Sequence, residues 1–146
     1  MNSNHALILA TTFLWLGFVG AISFMEAWLK FRAPGITLPL GLGIGRLVFH
    51  ALNIMEWVFL IAIVINLYLR HGFVYQPFYF WLIIPAILLI LQTLWVLPSL
   101  DARAELHIQG EIIPPSKIHF IYVIFEIIKV ATLLTFGIKL FKKYTL

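Results

Sequence analysis

Two runs of ionisable side chains recur at helical spacing. Arg46, His50, Asn53 and Glu56 stand at i, i+4, i+7 and i+10, which at 100° per residue keeps them within about 120° of one helix face. His119, Tyr122, Glu126 and Lys129 stand at i, i+3, i+7 and i+10, within about 80° by the same geometry. Ser23, Glu26 and Lys30 form a shorter third run, and Gln92 and Asp101 a sparse fourth. Carboxylates and imidazoles of this kind hold iron, manganese or zinc inside helical bundles, and histidines on facing helices serve as axial ligands to haem. The candidate metal ligands are therefore His50, His119, Glu26, Glu56 and Glu126. His50, His119, Arg46 and Lys129 are the candidate cofactor-binding set, and Glu56, Glu126 and Tyr122 the candidate catalytic or proton-relay groups.

Three observations set other readings beside a redox metal or haem. The spacings His50 to Glu56 and His119 to Glu126 are six and seven residues, whereas di-iron bundles use Glu-x-x-His. Imidazole and carboxylate then lie about two turns apart, too far for one ion without a second metal or a bend. The same glutamates can exchange protons while a small solute occupies a polar funnel, as in a proton-coupled transporter. The stripes can also consist of mutually satisfied ion pairs, such as Glu126 with Lys129 and Glu26 with Lys30 or Arg46, or can pair with another membrane protein in a non-catalytic subunit.

The elements that position these residues follow from composition. The chain has 146 residues, 62% apolar or aromatic and 11% charged, and a mean hydropathy of +1.02. Soluble domains carry about 25% charged residues, so a water-soluble globule is excluded. Four apolar runs of about 20 residues are each long enough to cross a hydrocarbon core about 30 Å thick. We expect a single all-α transmembrane domain over residues 1–146, with helices at about 6–29, 46–69, 77–96 and 117–138. Short connections make it an up-down-up-down four-helix bundle in the lipid bilayer.

The segment 36–45, with Pro39, Gly41, Gly43 and Gly45, reads as an irregular or re-entrant loop. Its glycines superficially match a phosphate loop, but no strand or βαβ unit surrounds them. Pro85 is expected to kink the third helix, Pro98 to close it, and 101–107 to form a short interfacial helix. Ser116 is expected to cap the fourth. Trp28, Tyr75, Tyr79 and Trp81 read as aromatic-belt residues, and His5, His71 and His107 carry no functional weight.

Every ionisable residue of the stripes lies in the half of its helix farther from the termini. A polar funnel is expected to open at that end, called the mouth here, and to stop near the bilayer centre. The first helix is long for a signal-peptide core, lacks a small-residue cleavage site, and is expected to stay in the mature protein. The termini side carries Arg70, Lys139, Lys142 and Lys143 and the mouth side Lys30, Arg32, Arg46, Arg103 and Lys117. The clustered lysines of the tail favour cytoplasmic termini. A net charge of +4 sits at helix ends and in loops, where lipid headgroups and not nucleic acid are the partner. A homo-oligomer is expected only if the stripes face outward. With no cysteines there is no disulfide, thiolate metal site or cysteine nucleophile.

The run Leu14-Trp15-Leu16-Gly17-Phe18, the stretch Phe24 to Phe31, and Gly45-Arg46-Leu47-Val48-Phe49 resemble the first two helices of the transmembrane protein 205-like domain family. Lys117-Ile118-His119 extends the resemblance to the fourth helix. That group is in turn similar to HemJ-type protoporphyrinogen oxidases, small bundles in which a helix histidine and a lysine bind haem. The resemblance implies a four-helix fold and adds weight to haem. Lys129, however, stands deep on its helix without the surrounding motif.

Overall fold

The computed structural model describes residues 3–71 and 76–145. Tyr75, one of the expected belt residues, lies outside them. The described chain is helical without a strand, and four helices are long and apolar enough to cross a membrane. Helix α1 covers 3–32, α2 is Leu38–His71, α3 covers 77–108 and α4 is Ile118–Thr145. Each packs against its neighbours in a ring, α1 on α2 and α4, and α3 on α2 and α4. The multi-pass bundle in lipid is thus the architecture of this protein.

Outward positions are apolar, among them Leu47, Ile54, Val58, Ile61 and Ile65 of α2, each at least half exposed. On a water-soluble protein so continuous a patch would aggregate, whereas in a bilayer it faces acyl chains. Because lipid tails are as apolar as leucine, burial from water does not hold the helices together. Close packing and interhelical polar contacts do that. The main apolar core, including Ile8, Trp15, Ile63, Leu89, Leu133 and Phe136, fills the termini half of the bundle. A smaller cluster of Val96, Leu97, Ile118 and Tyr122 lies toward the mouth.

The helices exceed their expected lengths. Segment 36–45 is not a loop, for α2 begins at Leu38. Thr37 Oγ1 accepts from the Leu40 N–H at 3.4 Å and its carbonyl from the Gly41 N–H at 2.9 Å. This is an N-cap, and it leaves Pro39 in the first turn, where a missing N–H costs nothing. Gly41 and Gly45 serve close approach to α1. A Cβ on Gly41 would stand 2.1 Å from Phe31 Cε1, and one on Gly45 3.3 Å from Lys30 Nζ. Gly41→Ala is therefore expected to destabilise the protein by about 1–3 kcal/mol, with recovery in the Gly41→Ala, Phe31→Ala double variant. Thermal unfolding in one detergent checks this, and a stable single variant would refute the contact.

Pro98 does not close α3, and 101–107 is not a separate helix, since helical structure runs on to Ile108. The strain of Pro98 is met upstream by a π-helical turn over Gln92–Val96, closed by the Leu97 N–H on the Gln92 carbonyl. A proline cannot donate to the carbonyl four residues before it, and its ring needs the preceding turn to widen. Helix α1 holds a second π turn over Gly20–Glu26, closed by the Ala27 N–H on the Ile22 carbonyl. At the start of α4, Ser116 Oγ accepts from the Ile118 N–H at 3.2 Å.

Candidate functional site

The deep ends of both stripes meet at the bundle axis. Lys129 Nζ lies 2.7 and 2.5 Å from the two carboxylate oxygens of Glu56 and 2.9 Å from Glu126 Oε1. None of the three side chains is more than 2% exposed. The link crosses from α2 to α4 at the level where the main apolar core gives way to the mouth half. All four helices complete it. From α1, Trp15 Nε1 donates to Glu56 Oε2 at 2.8 Å, and Ser23 Oγ donates to Glu126 Oε2 at 2.9 Å. From α3, Gln92 Nε2 donates to Glu126 Oε1 at 2.5 Å, and from α4 the Tyr122 hydroxyl lies 3.4 Å from Ser23 Oγ.

Both neutral partners of Glu126, Ser23 and Gln92, sit in the two π turns. Each insertion resets the facing of its helix, which is how such turns come to aim single side chains at functional sites. The composition of the site also sets its charge. One ammonium serves two carboxylates, and the other groups in contact with them, Trp15, Ser23, Gln92 and Tyr122, are neutral. With every group ionised the site carries one surplus negative charge in a medium where isolated charge is expensive. Gln92 adds a second oddity, because its Oε1 is buried without a hydrogen-bond partner.

The outer members of the stripes are placed elsewhere. Arg46 pairs through Nη1 with Glu105 and lies through Nε 3.6 Å from Asp101, while His50 Nε2 is hydrogen-bonded to the other oxygen of Asp101. Asn53 and Trp57 both donate to Thr93 Oγ1 at 3.0 Å. Glu26 pairs with Lys30 at 3.1 Å. His119 lines a cavity of about 130 Å³ at the mouth, together with Lys30, Phe31, Arg46, Phe49 and Asp101. Phe49 also packs edge-on against Tyr122, with ring centres 5.1 Å apart. A continuous series therefore runs from the cavity through Phe49, Tyr122 and Ser23 to Glu126.

Glu56, Glu126, Lys129 and Tyr122 are thus brought together, whereas His50, His119, Glu26 and Arg46 form the rim. The residues do not fit the expected metal centre. Among the described residues no three His, Asp or Glu side chains gather closely enough to hold an ion, and Lys129 occupies the place between the two deep carboxylates. Of the two histidines expected as axial ligands to haem, His50 is hydrogen-bonded through Nε2 to Asp101 and His119 lines the mouth cavity. Trp15, Ser23 and Gln92 are not among the candidate ligands or relay groups read from the sequence. Ser23 and Gln92 stand in its third and fourth polar runs, whereas Trp15 has only its depth, near the level of Glu56, as a signal. His5, without functional weight in the sequence, is buried and stacks on Tyr144 at 3.6 Å.

The fold and site define a small multi-pass membrane protein with a buried Glu–Lys–Glu triad below a cavity at the mouth. No protein-family model, curated protein or solved structure matches the chain.

Proposed function

We propose that this protein couples proton exchange at the Glu56–Lys129–Glu126 triad to occupancy of the mouth cavity by a small solute, as a proton-coupled transporter. The observation that carries this reading is the charge count of the triad. Two fully buried carboxylates share one ammonium, so the site reaches neutrality by taking one proton.

Glu126 is the group that exchanges it. Glu56 receives two contacts from Lys129 and one from Trp15, which ties its charge to the ammonium. Glu126 shares only one Lys129 contact and otherwise faces groups that reverse roles at little cost. The Ser23 hydroxyl rotates, and the Gln92 amide turns over so that its oxygen accepts from a protonated carboxyl. The far end of that amide has no partner in the present orientation. Contact with Glu126 therefore sets which way the amide points. Tyr122 and Ser23 continue the path toward the mouth, and the apolar termini half closes the other end. With the termini cytoplasmic, the mouth opens away from the cytoplasm.

Infrared difference spectra of the protein in lipid, recorded between acidic and alkaline buffer, test the exchange. A protonated-carboxyl band that appears on acidification and is lost in Glu126→Gln is expected. A spectrum unchanged by that substitution would sink the reading.

A further inference from the structure

The cavity at the mouth has a composition that selects its occupant. Its walls are largely apolar, with Phe31 from the end of α1, Phe49 from α2, and Leu97 and Leu100 from α3. Into it projects Lys30, whose side chain is only 9% exposed. Its ammonium stands 5.3 Å from the Phe31 ring centre and 5.4 Å from that of Phe49. Among the described residues its one hydrogen-bond acceptor is Glu26 Oε2 at 3.1 Å. An ammonium has three donors, so two remain for a ligand in a place that water reaches poorly.

The other charged groups of the cavity are already committed. Arg46 is held between Asp101 and Glu105, and Asp101 is shared by Arg46 and His50. Lys30, although paired with Glu26, thus keeps two donors for a ligand, an anionic acceptor is their complement, and His119 adds a further polar group on the wall. The walls narrow the choice. A cavity of about 130 Å³ lined mostly by Phe and Leu side chains suits a carboxylate with a short hydrocarbon tail, whereas the hydroxyls of a sugar would lose their water against walls that offer few hydrogen-bond partners.

We infer that the cavity binds a short-chain monocarboxylate, its carboxylate on Lys30 and its tail between Phe49 and the α3 leucines. This names the solute class for the coupling proposed above and rests on that reading for its transport role. It also bears on the coupling. The ligand meets Phe49, which packs on Tyr122, so occupancy presses on the group that adjoins Ser23 and Glu126. The Gly41 contact explains how the site is built, because a Cβ there would overlap the Phe31 ring, while one on Gly45 would only press on the end of the Lys30 side chain.

The probe is sodium butyrate, titrated calorimetrically into the full chain in phospholipid nanodiscs at one pH. Saturable binding is expected, at least tenfold weaker in Lys30→Met and unchanged in Lys142→Met, a lysine at the opposite end. Leu100→Trp, which fills the cavity from α3, is expected to lose binding as well and covers the case in which Lys30→Met does not fold. Butylammonium, of the same shape and opposite charge, is expected not to bind. No saturable heat with folded wild-type protein, or equal binding by folded Lys30→Met, would overturn the inference. So would tighter binding of octanoate, which would place the chain along the lipid surface and not in the cavity. Because the titration uses a single pH and no gradient, it is independent of proton exchange. A chain that shows the Glu126 infrared band but binds no butyrate keeps the proton reading and loses this ligand class.

Discussion

Lys129→Met is expected to be the most damaging single substitution in this protein, costing about 3–5 kcal/mol of stability. The methionine fills much of the same volume, so the loss is electrostatic. Glu56 and Glu126 both lie against Lys129 Nζ, and without the ammonium two carboxylates face each other in a low-dielectric interior. Removing one partner of a buried pair leaves an uncompensated charge, whereas removing all charges together does not. The triple variant Lys129→Met, Glu56→Gln, Glu126→Gln is therefore expected to regain most of the loss. Unfolding in a single detergent, followed by tryptophan fluorescence or circular dichroism, measures both. A Lys129→Met chain as stable as the wild type would show that the triad does not carry the charges assigned to it.

Glu126→Gln is expected to separate stability from function. The amide is nearly isosteric, its oxygen still accepts from Lys129 and Gln92 while its NH2 donates to the Ser23 hydroxyl, and the surplus negative charge disappears. Stability should rise by about 1–2 kcal/mol, a fraction of what a buried charge costs. Proton uptake into proteoliposomes after a pH step should fall by roughly 10²-fold, in the range attributed to a positioned acid–base group. Glu56→Gln differs in sign, because it removes the carboxylate that takes two of the Lys129 contacts and the Trp15 N–H. That variant should be less stable than the wild type. The reverse pattern, with Glu56→Gln stabilised and losing uptake while Glu126→Gln is destabilised and keeps it, would assign the exchanging role to Glu56 instead.

Such an asymmetry is expected of sites that spend stability on activity. A site built only to hold helices in register has no need of a second carboxylate. It gains from neutral balance, which one glutamate and one lysine supply. The further pairs nearer the mouth, Glu26 with Lys30 and Arg46 with Asp101 and Glu105, already link α1 internally and α2 to α3 at partly exposed positions. Pairs of that kind contribute about 0–1 kcal/mol each, so the buried triad is where the energetic consequence of a charge change is concentrated.

Much of this was legible in the residues themselves. Four apolar runs, separated by polar or proline-bearing segments, determined a multi-pass helical protein, because hydrocarbon admits only backbone that satisfies its own hydrogen bonds. The periodic spacing of Glu56, Tyr122, Glu126 and Lys129 determined that these residues share inward faces, since a charged side chain toward lipid is costly. What the spacing did not contain was which members of each stripe meet. A stripe spans ten residues, about 15 Å at 1.5 Å per residue. Partners are therefore chosen by the relative height of the helices and not by the face alone. Height placed Lys129 between the two glutamates and left His50 with Asp101, which separates the histidines from the deep carboxylates. Helix ends were misjudged where glycine and proline were read by propensity alone. Thr37 caps α2 across Pro39, the glycines receive Phe31 and Lys30, and α3 passes through Pro98 by widening one turn. The two π turns were invisible for a related reason. An inserted residue rotates everything beyond it by about 100°, and whether a helix takes that insertion depends on what its neighbours present to it. Here it is the tertiary packing around Glu126, and no local motif, that puts Ser23 and Gln92 on the same carboxylate.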